Sequence, residues 1–136
     1  METWDGAFAF LLTDIEASTR LWEDAPADMA RALARHDDLI SDTVGAHGGT
    51  LVRSRGEGDS AFAVFDESSD AILAALTLQR EFAAEPWPAN ANIRVRMAVH
   101  TGQAQRRRDD YYGPAVNRAA RLRGAEIGRA SCRERV

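Results

Sequence analysis

"GGTLVRSRGEGDSAFAVF", Gly48–Phe65, reads as two strand-forming runs joined at a glycine-rich bend. "TLVRS" and "SAFAVF" carry the β-branched and aromatic residues of strands, and Gly56 and Gly58 supply the turn. Two carboxylates, Glu57 and Asp59, sit at or just past the bend. Short acidic side chains are common in turns because they bond their own backbone. Position alone therefore leaves open whether either of them holds a metal ion.

Upstream of this hairpin, "AFAFLLT" (residues 7–13) is an apolar run of strand length, closed by Asp14. Ser18 and Thr19 can cap the turn "RLWED", and Pro26 suits the first turn of a following helix. In that helix Met29, Leu33, His36, Ile40 and Val44 form one stripe at helical spacing, and Gly48-Gly49 ends it. Downstream, Ser68 and Ser69 can cap a helix whose Ile72, Ala75, Leu76 and Ala83 share a face. After "EPWPANAN", the stretch "IRVRMAV" alternates, with Ile93, Val95, Met97 and Val99 inward and Arg94 and Arg96 outward. A polar loop to Asp110 then leads to "YYGPAVNRAARL", with Pro114 at a helix start. Strand, helices, hairpin, helix, strand, helix is the order of an α+β ferredoxin-like βαββαβ sandwich. Its helices cover one face of a mainly antiparallel sheet.

The 136 residues make one domain, with 45% hydrophobic and 28% charged residues. A net charge of −4 argues against a nucleic-acid-binding surface. The longest basic run, 106–108, meets Asp109 and Asp110 at once and reads as a solvated loop. No run approaches the ~20 apolar residues of a membrane span, and "METWDGAF" lacks the features of a signal peptide. A cytoplasmic protein without membrane contact is expected. All 17 basic residues are Arg, which with the high Ala content suggests a GC-rich genome. His36 and His100 are expected to pack in the core or beside it, and Trp22 and Trp87 to serve packing.

The last eleven residues, "EIGRASCRERV" (residues 126–136), contain the single cysteine, Cys132. This string resembles a sequencing-adapter DNA translated in frame, so it is expected to be foreign and is left out of the fold. The domain proper is then 1–125, and the native chain is expected to continue beyond it.

Taken together, "FLLTDIEAST" (residues 10–19), the hairpin, "RMAVHTG" (residues 96–102) and "DYYGPAVNRAARL" (residues 110–122) resemble the catalytic domain of class III adenylyl/guanylyl cyclases. The resemblance runs from Ala7 to Leu122. It implies a lyase that cyclises ATP, in preference to GTP, to the 3′,5′-cyclic nucleotide with release of pyrophosphate, for intracellular signalling. It also implies two divalent cations per site, Mg2+ or Mn2+, one at the attacking ribose oxygen and one on the phosphates. Asp14 matches the first metal aspartate, with the Ile15 carbonyl beside it. The amides of Glu16, Ala17 and Ser18 are expected to face the phosphates, with Ala17 standing where the family usually has Gly. Asn117 matches the residue that orients the ribose, and Arg121 the one that stabilises charge on the phosphoryl oxygens. Asp110 matches the carboxylate that reads the purine amino group. Its partner is normally a Lys; here the position is Arg53, or Arg55 if the count is taken back from Asp59.

The second metal ligand depends on the same count. Forward from Gly56 it is Glu57; back from Phe65 it is Asp59. Anchoring on the packed strand favours Asp59, because hairpin tips absorb insertions more readily than strands do. The family builds each site across a head-to-tail homodimer and often carries ATPase-like and DNA-binding regions on the C-terminal side. Members also carry a later stretch with further strands, and its absence is expected to expose apolar sheet surface, so that this chain alone turns over poorly. The alternative reading is a degenerate cyclase-homology module that binds nucleotide or dimerises to regulate a C-terminal effector domain.

Overall fold

The computed structural model describes the backbone of residues 3–52, 59–107 and 110–112, and side chains within 7–52 and 59–103. The elements run β1 (Thr3–Ile15), α1 (Ser18–Asp24), α2 (Pro26–Ala46), β2 (Thr50–Leu51), β3 (Ala61–Phe65), α3 (Ser68–Ala84), β4 (Val95–Arg107) and β5 (Asp110–Tyr112). The strands form one sheet in the order β2-β3-β1-β4-β5, with every described pairing antiparallel. This is the α+β arrangement that the element order implies.

β1 is the central strand because its middle is apolar on both faces. Ala9, Leu11 and Ile15 join the large core with α2 and α3, whereas Phe8, Phe10 and Leu12 point the other way. There they meet Val52, Phe62 and Val64, and the Phe10 and Phe62 rings stack with centroids 5.6 Å apart. Strict alternation along β1 thus supplies two apolar layers from one run.

α2 presents the expected stripe: Met29, His36, Ile40 and Val44 are buried, and Leu33 packs at its margin. Pro26 occupies its first turn. Beyond its C-terminus Gly48 takes φ +78°, a conformation that costs glycine little, and the Gly49 amide returns to the Val44 carbonyl at 2.8 Å. A Cβ on Gly49 would stand 2.5 Å from the Phe65 ring, so helix end and sheet meet there without room for a side chain.

Four local expectations are corrected. The serines at 18 and 68 are the first residues of α1 and α3; the cap positions are Ala17 and Glu67, and neither makes a side-chain cap bond. α3 buries Ala71, Ala74, Ala75, Leu78 and Phe82, a face rotated from the expected one, and Leu76 is 45% exposed. The stretch up to residue 107 is no loop: β4 continues through it, still paired with β1, and turns back into β5. Trp22 is 39% exposed and belongs to neither apolar core, while Trp87 packs, tilted against Phe82 and donating its indole N–H to the Phe82 carbonyl at 2.9 Å. His36 and His100 are buried, as their positions suggested.

Candidate active site

The site is built where β1 ends. Asp14 and Ile15 are its last two residues, and their Cα partners on β4 are Arg96 and Val95. Alternation sends Asp14 to the same face as Phe8, Phe10 and Leu12, away from the helices. Arg96 shares that outward face, as the alternation of β4 implies, and is partly buried there against Asp14. Its Nε donates to Asp14 Oδ1 at 2.7 Å and its Nη2 to Oδ2 at 2.7 Å. Both side chains are partly buried, at 26% and 21% exposure.

From the other side, β1 pairs with β3 in a register that ends at Thr13↔Ala61. Continued past the ladder, that register sets Asp59 level with Ile15, at the same sheet end as Asp14. Asp59 lies in the turn before β3, and its Oδ2 is buried with no hydrogen-bond partner. Its charge acts on His36 of α2. Burial lowers the pKa of His36 below 6.5, outweighing the hydrogen bond to Asp37 and the charges of Asp37 and Asp59, all of which raise it.

An orphaned buried carboxylate oxygen costs free energy unless something compensates it. A hard divalent cation would do so. Carboxylate oxygens and a backbone carbonyl are the donors Mg2+ and Mn2+ take, and Asp14, Asp59 and the Ile15 carbonyl are donors of that kind. Among the described residues no group of three or more His, Cys, Asp or Glu side chains is placed to hold a metal ion.

The turn from β1 into α1 is tight. Ala17 has φ 54° and ψ 35°, the left-handed region, and is the one non-glycine residue of positive φ among those described. The Glu16 amide donates to the Arg94 carbonyl at 2.8 Å and is spent on holding the β1 end to the approach of β4. A cleft of about 460 Å³ between the end of α3 and the start of β4 is lined by Phe82, Trp87 and Arg94, among others, but includes neither Asp14 nor Asp59. Asp110 begins β5, its backbone opposite Arg107. Arg53, Arg55, Glu57, Asn117 and Arg121 lie outside the described residues. Of the expected residues, the fold thus gathers Asp14, Ile15 and Asp59 at one sheet end. The arginine on Asp14 was missed; the signal for it, an outward Arg opposite a strand-end Asp, exists only once the β1–β4 register is known.

Comparison with known proteins decides the family. The model of the adenylate and guanylate cyclase catalytic domain matches residues 5–129. The chain belongs to this family. An uncharacterized protein of Mycobacterium tuberculosis is 45% identical over 123 residues, covering 90% of this chain and 41% of its own length. The adenylate cyclase of Podospora anserina is 30% identical over 148 residues, covering 90% of this cyclase-family chain and 7% of that protein. Among solved structures, an adenylate cyclase from Trypanosoma brucei in its monomeric state superposes with a TM-score of 0.83 at 24% identity, covering 93% of this chain and 70% of that one. That last likeness concerns the fold. The chain spans less than half the length of the curated relatives just described.

Proposed function

We propose that the protein containing this domain converts ATP to its 3′,5′-cyclic nucleotide and pyrophosphate, with two divalent cations held by Asp14 and Asp59. Membership of the cyclase family over residues 5–129 is the observation that carries this reading. The strand-end carboxylate Asp14 and the orphaned oxygen of Asp59 support it. When bound, the cations supply charge neutralisation on the phosphates and lower the proton affinity of the ribose 3′-hydroxyl.

The chain's own residues do the rest. Asp14 and the Ile15 carbonyl at the end of β1, with Asp59 in the turn before β3, would hold the cations. The amides of Ala17 and Ser18 turn toward the phosphates at the start of α1. Asp110 accepts from the adenine amino group and an arginine of the hairpin, Arg53 or Arg55, donates to the base, which gives the preference for ATP. Asn117 orients the ribose so that its 3′-oxygen stands in line with the bond from the α-phosphorus to the departing pyrophosphate. Arg121, four residues further on, stabilises charge that builds on the phosphoryl oxygens. Two copies share their sites, one giving the carboxylates and the other the base, ribose and phosphoryl contacts.

The test is turnover by the full-length protein with ATP and Mn2+ or Mg2+. Asp14→Ala and Asp59→Ala should each cost orders of magnitude in rate, because each removes a cation ligand. Glu57→Ala should cost less than about tenfold, near 1.4 kcal/mol on the barrier. A larger loss for Glu57→Ala than for Asp59→Ala would move the second ligand to Glu57. Absence of turnover in every form, with nucleotide still bound, would replace the enzyme by a regulatory module.

A further inference from the structure

Asp14 and Arg96 face each other across two hydrogen-bonded strands, in register, on the sheet face opposite the helices. The guanidinium closes a two-pronged contact: Nε on Oδ1 and Nη2 on Oδ2, both at 2.7 Å. Such a fork is the strongest arrangement an arginine makes with a carboxylate, and the backbone register aims it. It also spends one lone pair of each Asp14 oxygen. Both partners keep about a quarter or less of their side-chain surface exposed, so the contact can exchange without opening the core.

We propose that Arg96 is a built-in counter-cation for Asp14, holding its carboxylate in the metal-free chain and competing with the divalent cation for it. The inference rests on the reading of Asp14 as a metal ligand. Arg96 is then a positioning residue: it fixes the Asp14 rotamer before metal arrives and sets how tightly metal binds. A guanidinium beside the site opposes a second cation through like-charge repulsion and through the two hydrogen bonds that must be released or shared. Removing it should tighten metal binding, whereas a residue that merely supported the strand pair would loosen or spare it.

The experiment measures Mn2+ affinity of the full-length protein without nucleotide, by electron paramagnetic resonance of free Mn2+, with circular dichroism to check folding. Arg96→Gln should bind Mn2+ at least about tenfold more tightly than the parent, a coupling of the size seen between groups in direct contact. Arg96→Lys should tighten it less, because an ammonium keeps the charge and loses the fork. Asp14→Asn should lose that binding. Unchanged or weaker binding in Arg96→Gln, with Asp14→Asn impaired, overturns the inference alone. Parent-like binding in Asp14→Asn overturns the metal reading of Asp14 and the inference with it. Should Arg96→Gln not fold, Arg96→Lys decides: tightening supports the counter-cation role and its absence overturns it.

Discussion

Ala17 carries the clearest local strain. A left-handed backbone places Cβ against the following carbonyl oxygen, at a cost of roughly 1–2 kcal/mol for an L-residue. Its φ of 54° belongs to the turn from β1 into α1, directly after Asp14 and Ile15 at the end of the central strand. Glycine adopts that conformation without penalty but loses more freedom on folding. Ala17→Gly should therefore stabilise the fold by about 1 kcal/mol, read as a rise in urea midpoint with unchanged slope. A lower midpoint would show that the turn is not strained. His36 offers a second test at this scale. Its folded-state pKa lies below 6.5, so on acidification the unfolded chain takes up the proton first. The contribution of His36 is complete above the unfolded value and is lost as pH falls from there toward the folded pKa. His36→Phe keeps a ring against Phe82, which the histidine stacks on at 5.6 Å. Its stability should fall less steeply between about pH 6.5 and 5 than the parent's; an equal slope would assign the acid sensitivity to other groups.

Elements differ in how far the sequence exposed them. The stripe of α2 was legible because polar residues fill the rest of that helix and leave one apolar face. α3 was not, because "AILAALTLQREFAA" is apolar on too many sides for spacing alone to choose. The sheet chose, burying Leu78 and leaving Leu73 and Leu76 at 52% and 45% exposure. Leu78→Ala should cost about 2–5 kcal/mol and Leu76→Ala less than about 0.5 kcal/mol, compared by denaturant titration. Equal losses would mean that α3 packs on the face expected from spacing. The long reach of β4 was hidden for another reason: Gln103, Gln105, Arg106 and Arg107 have no strand pattern, and pairing with the first residues of β1 holds them extended. The positions of Asp14 at a strand end and of Asp59 in the turn before β3 were legible from the apolar runs that flank them. Arg96 was not, since the ladder that sets it on Asp14 joins positions 82 residues apart.

At the scale of the molecule, the domain offers half of each proposed site. Asp14 and Asp59 stand at one sheet end, while Asn117 and Arg121 are proposed to act on the substrate held by a partner copy. A twofold dimer would then contain two equivalent composite sites. Asp14→Ala and Asn117→Ala full-length chains should each be inactive alone. Refolded together in equal amounts, half of the dimers would be mixed, and each mixed dimer would keep one intact site. The measurement is cyclic nucleotide formation from ATP with Mn2+ in that mixture. Recovery to roughly a quarter of the parent rate is the predicted result; an inactive mixture, made from a parent protein that does turn over, would contradict a shared two-metal cyclase site.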